Sequence, residues 1–171
     1  MVGMTTAGDL VVATQRVRES AQALGAALAS VAVYAEPAIA RAVQAAQNLY
    51  FRIEGEFGML TSTEAGNLMG SRSRAPRNFA AAAHRNNTLV AVRQGNSLVY
   101  PGFQFGPDGQ PLAVIGRLRE IAGANDWSEA GLVQWLCSPT TSFNGDRPVD
   151  HLTEDPDRVV AVAADALAVS W

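Results

Sequence analysis

Between residues 61 and 97 the chain carries three conformational instructions in succession, and few folds obey all of them. Thr61 stands three residues ahead of Glu64. At that spacing a hydroxyl accepts a backbone N–H from a helix's first turn while the carboxylate reaches back to the cap residue. Gly70 follows where a short helix would end, and glycine takes the left-handed position beyond a helix C-terminus without steric cost. Gly95-Asn96 then separates LVAVR from SLVYP. A two-residue loop opening on glycine between β-rich runs predicts a hairpin with a type II′ turn. The order is helix, tight turn, helix, hairpin.

Each part has a predicted interior. A first helix over Thr63–Met69 places Ala65, Leu68 and Met69 on one side. Ser71 or Ser73 is positioned to cap a second helix, and Pro76 is tolerable only in its first turn. Residues 77–85 then turn Phe79, Ala80 and Ala83 inward and Arg77, Asn78 and Arg85 outward.

Charge is segregated along the same lines. Residues 1–64 hold four arginines and six acids, 65–107 hold five arginines (Arg72, Arg74, Arg77, Arg85, Arg93) and no acid, and 108–171 hold four arginines and ten acids. The net charge of −3 therefore hides a basic middle and an acidic end, an asymmetry that points to an anionic partner. An acid-free helix pair can approach phosphates without repulsion, and its arginines gain affinity by releasing counterions. Arg can also read guanine bidentately, and Asn78 could read adenine. The alternative for this charge pattern is a solvated basic face on an ordinary helical hairpin.

The flanking regions read as helical. Residues 8–50 are rich in Ala, Leu, Gln and Arg, with an apolar stripe through Val11, Val12, Val17, Ala21, Leu24, Leu28 and Val31 that suits a core or a dimer seam. Pro37 can end one helix or open the next, and RIEGEFG over 52–58 reads as a connector. Beyond the GPDGQP turn signal, a helix from Pro111 to Ala122 presents Val114, Ile115, Leu118, Ile121 and Ala122 ahead of Gly123. Ser128 caps a helix with Leu132, Val133, Trp135 and Leu136, ended by Pro139. Asp155 and Pro156 open a last helix that buries Val159, Val160, Ala163 and Leu167. The fold class expected is mainly α: N-terminal helices over 1–58, a small unit with one β-hairpin over 59–105, and a helical unit over 106–171.

Two of these stretches resemble known families. MLTSTEAGNLMGSRSR followed by LVAVRQGNSLVYP is similar to the winged helix-turn-helix heads of the excisionase and MerR group. WLCSPTTSFNGDRPVDHL, with Phe143, Gly145, Pro148, Asp150 and Leu152 ahead of Arg158-Val159-Val160, resembles the toxin-binding domain of the MbcA/ParS/Xre antitoxins. The resemblance covers about 59–171. It implies DNA contact through Arg72, Ser73, Arg74, Arg77, Asn78, Arg85 and Arg93. It also implies a partner face drawn from Trp135, Phe143, Arg147, Pro148, Asp150, Arg158 and the terminal Trp171. The partners implied are operator DNA and a RES-domain toxin that consumes NAD.

The residues by themselves favour core packing for Trp135 and Phe143, and for Asp150 a capping role over 151–154. Trp171 could fold back on its own domain or anchor a partner. Catalysis is not expected: His84 and His151 fall in different units, Cys137 has no histidine placed to activate it, and no phosphate-binding glycine motif occurs. A single cysteine excludes an intramolecular disulfide framework. No apolar run approaches the roughly 20 residues that span a bilayer. The expectation is a cytoplasmic, cofactor-free type II antitoxin that binds DNA as a homodimer or higher oligomer. Its rivals are a stand-alone dimeric transcription regulator and a helical structural adaptor.

Overall fold

The structure is a computed structural model that describes residues 37–72 and 74–168. The apolar stripe of residues 11–31, Ser73 and Trp171 lie outside the described residues. The chain divides into two compact units, residues 1–42 and 43–171, and every side-chain contact discussed below belongs to the second. It is mainly helical, with one small antiparallel sheet.

Helix α1 (Pro37–Phe57) runs straight through the stretch expected to be a connector. Leu49 and Ile53, four residues apart on one face, are buried, and that tertiary burial outweighs the weak helix preference of Gly55. The helix stops at Gly58, whose φ of 80° only glycine adopts freely.

Strand β1 (Met59–Thr61) follows, then α2 (Ser62–Leu68), α3 (Pro76–Arg85), β2 (Val92–Gln94) and β3 (Ser97–Pro101). The expected hairpin is present, with Gln94 opposite Ser97 across Gly95-Asn96. Gly95 has φ 59° and Asn96 is not left-handed, as a II′ turn requires. Strand β1 was not anticipated. It pairs with the other edge of β3, Leu60 opposite Tyr100, so β3 is central in a three-stranded sheet ordered β1-β3-β2. Three residues carry too little alternation to announce a strand.

Alternation along the chain divides the interior into two cores. Leu89, Ala91 and Tyr100 face a small core with Ala65, Met69 and Ala80. Val90, Val92 and Val99 face a large one that extends through Leu49, Ile53, Phe103 and the C-terminal helices to Leu167. The LVAV run is apolar throughout because both its faces are covered. The large core draws on both sides of residue 105, so packing shows no break between the two units expected there.

The C-terminal elements are α4 (Ala113–Ala124), α5 (Glu129–Leu136), 3-10 turns at Thr141–Phe143 and Pro148–His151, and α6 (Pro156–Leu167). Helix α4 passes the predicted stop at Gly123 and ends at Ala124, with Asn125 as its C-cap. Ser128 accepts from Gly131 N and Asp155 from Arg158 N, both as expected of N-caps. Asp150 does not cap forward over 151–154. Its carboxylate reaches back to Arg147 N at 3.2 Å and so caps the 3-10 turn Pro148–His151 to which it belongs.

Candidate functional site

The capping box at the start of α2 is complete: Glu64 N donates to Thr61 Oγ1 at 3.2 Å, and Thr61 N donates to Glu64 Oε2 at 2.7 Å. Gly70, with φ 79°, reverses the chain. A Cβ on Gly66 would run into the Pro76 carbonyl, so α2 and α3 cross at a point only glycine permits. Helix α3 opens on Pro76 behind Ala75, which provides no side-chain cap. The N-cap position is thus four residues beyond Ser71, one of the two serines expected to cap; the other, Ser73, lies outside the described residues. Proline at the first helical position needs no N–H partner.

The next three residues, Arg77, Asn78 and Phe79, are all exposed, while Ala80 is fully buried. Of the residues expected inward, Ala80 is so and Phe79 is not. Leu68, also expected inward, is exposed too, and Met69 fills the position beside Ala65. Arg85 lies seven residues after Asn78, on the same face of α3, and is exposed.

Arginine pairing separates the two halves. Arg72, Arg74, Arg77, Arg85 and Arg93 are exposed, and none forms an ion pair among the described residues. All four arginines after residue 108 are held by protein oxygens. Arg117 donates to Asp157, Arg119 to Glu129, Arg147 to Glu56 and Asp150, and Arg158 to the Ser142 carbonyl.

The structure brings some predicted residues together and not others. Arg77 shares a hollow of about 410 Å³ with Thr61, Ser62, Thr63 and the Ser97–Val99 run of β3. Arg93 lies elsewhere, in a hollow of about 400 Å³ with Gln47, Tyr50, Phe51 and Glu54 of α1.

The predicted partner residues are largely occupied with one another. Phe143 is buried, with the Arg158 guanidinium 4.8 Å above its ring and His151 stacked on it at 4.8 Å. Pro148 is buried. Arg147 donates both Nη atoms to Glu56 at 2.7 Å, and its Nη2 and Nε to Asp150 at 2.6 and 3.0 Å. These bonds to Arg147 hold the Glu56 and Asp150 carboxyls below their usual range. Trp135 is half-buried and Arg158 exposed. Cys137 is buried, and burial pushes its thiol up to about 12.

Two polar clamps escaped sequence reasoning. Glu129 accepts from Arg119 Nη2 at 2.7 Å, from the backbone N–H of Ala91 at 2.7 Å, and from His84 Nε2 at 2.8 Å. A carboxylate only accepts, so that ring nitrogen carries the proton. Arg119 Nη1 also donates to the carbonyls of His84 and Leu89. The end of α3 is thereby tied to α4 and α5. The second clamp is Gln104, fully buried, whose amide engages Val90 and Pro101. No local pattern marks either residue, because their partners lie tens of residues away or on an irregular backbone.

Among the described residues, no group of His, Cys, Asp and Glu is arranged to hold a metal, and no helix is long and apolar enough to cross a membrane. No family model and no curated protein sequence matches the chain. The NMR structure of Rv2175c is similar in fold, with a TM-score of 0.57 and 24% sequence identity over 66% of this chain and 82% of that one.

Proposed function

We propose that the chain is a sequence-specific DNA-binding regulator in which residues 59–101 act as a winged helix-turn-helix, α2 and α3 forming the helix pair and β2–β3 the wing. The observation that carries this reading is the pairing contrast: five exposed arginines without ion-pair partners on an acid-free segment, beside a half in which every arginine is held. Leaving charges unpaired favours counterion release on a polyanion. In this reading the first turn of α3 enters the major groove, Arg77 and Asn78 meet base edges, and Arg72, Arg74 and Arg85 lie against phosphates. Ser73 adds a neutral donor, and Arg93 on the wing reaches the backbone separately. Gel shifts across a salt series test it. Arg74→Ala should lower the slope of log K against log salt by about one unit. A double Arg74→Ala, Arg77→Ala protein that binds as tightly as the wild type would refute the assignment.

The C-terminal half gives the regulator its partner. The Phe143–Leu152 element supports a type II antitoxin that covers the cleft of a RES-type, NAD-consuming toxin, acts in the cytoplasm as a homodimer and needs no cofactor itself. Trp135 and Arg158 then meet the toxin together with Trp171, while Phe143, Pro148, Arg147 and Asp150, engaged with other parts of the chain, fix the surface beside them. The internal use of those last four favours a second reading, a stand-alone dimeric regulator. Co-expression with the product of the adjacent gene decides: a stable complex with loss of NAD consumption supports the antitoxin, and a free, repressing dimer supports the rival.

A further inference from the structure

Among the described residues from 58 onward, Phe79 is the one aromatic that is exposed; its relative exposure is 48%. The small core lies one residue away, where Ala80 is fully buried, so the ring stands outside an interior that α3 does reach. Its neighbours are Arg77 and Asn78, both exposed, in the first turn of a helix that itself carries no acid. Exposed apolar surface among unpaired cations fits a partner that is anionic and also presents an apolar spot. The major groove is such a surface. Phosphates line it, and the C5-methyl of thymine is the apolar group on its base edges.

We propose that Phe79 is a specificity-determining residue that packs against the 5-methyl group of a thymine beside the bases met by Arg77 and Asn78. This rests on the DNA-binding reading above. Ala82, three residues on, shares this side of α3 and leaves the ring room to lie along the groove.

The probe is the duplex that the full-length protein enriches from a random-sequence pool, remade with deoxyuridine at each thymine in turn. Replacing one thymine should weaken binding about fourfold, the loss expected for one buried methyl group. Phe79→Ala should bind thymine and uracil forms alike, at the wild type's uracil level, while Asn78→Ala keeps the difference between them. Equal binding of both forms by the wild type, or a difference retained in Phe79→Ala, overturns the proposal; the wild-type comparison does not depend on any variant folding. If no duplex is enriched, the DNA reading itself fails and takes this one with it. If Phe79→Ala keeps DNA affinity and methyl discrimination but changes the mass seen by light scattering, the ring belongs to a protein interface and the proposal is again overturned.

Discussion

Gln104 pairs with Val90 through both ends of its side-chain amide: Oε1 accepts from Val90 N at 2.7 Å, and Nε2 donates to Val90 O at 2.9 Å. The side chain does for Val90 what a neighbouring strand would do. Residues 89–91 lie before the hydrogen-bonded part of β2 yet are buried on both faces, so their backbone groups need partners that water cannot supply. Gln104, Glu129 and Arg119 provide them.

Gln104→Leu should therefore cost more than its small change in volume suggests. It leaves the Val90 N–H and C=O buried and unpaired, at about 1–3 kcal/mol for each group. A urea midpoint lowered at unchanged slope is the expected result. A midpoint that does not move would mean water or a rearranged backbone takes the place of the amide.

Gly66→Ala should unseat α3. The added methyl meets the Pro76 carbonyl, a backbone atom that cannot swing aside, so the helices must part. A loss of about 3 kcal/mol is the scale for such overpacking, read as a lower thermal midpoint. On the proposed DNA-binding reading, affinity should fall even at temperatures where the protein stays folded, because Arg77 and Asn78 move with the helix.

The Arg147 cluster should make stability depend on acidity. The Glu56 and Asp150 carboxyls are lowered chiefly by their hydrogen bonds to Arg147. Groups with lowered native values give stability that is fully present above the ordinary carboxylate range and lost as pH falls through their native values. Both side chains are more than a third exposed, so solvent keeps the effect modest. The urea midpoint should fall from about pH 4 downward, and the fall should be shallower in Arg147→Met. Identical acid profiles for the two proteins would place the dependence elsewhere.

Cys137 should be inert in the native state. Its thiol is buried and pushed up to about 12, and reaction requires the thiolate. An aromatic disulfide reagent at pH 8 should label it only when urea unfolds the chain, with a rate that tracks unfolding. Rapid native labelling would show that the end of α5 opens locally.

What could be read from the sequence is what acts within about four residues. Thr61 with Glu64, Gly70, Gly95-Asn96, Ser128 and Asp155 each complete their hydrogen bonds or turns inside one turn of chain, and each sits where the pattern placed it. Residues 52–57 misled because Glu54, Gly55 and Glu56 look like a loop, whereas Ile53 is fixed by packing that no local rule contains. Phe79 and Ala80 are adjacent apolar residues that were both expected inward; a helix turns successive side chains about 100° apart, and only Ala80 reaches the small core. At the candidate site the arginines were visible as composition, but their freedom from partners was not. Arg72 and Arg147 look alike in sequence; only the fold brings Glu56 to the second.

The two faces of β3 set a limit on how this chain could be reused. Val99 belongs to the large core and Tyr100 to the small one, and the end of α3 is clamped from α4 and α5. A gene fragment cut after Pro101 would uncover Val90, Val92 and Val99 and strip the partners from His84, Val90 and Ala91. In this chain residues 59–101 are therefore not a self-contained cassette, because the large core continues into the helices beyond them. Descent must carry the helical half along with the strand it covers.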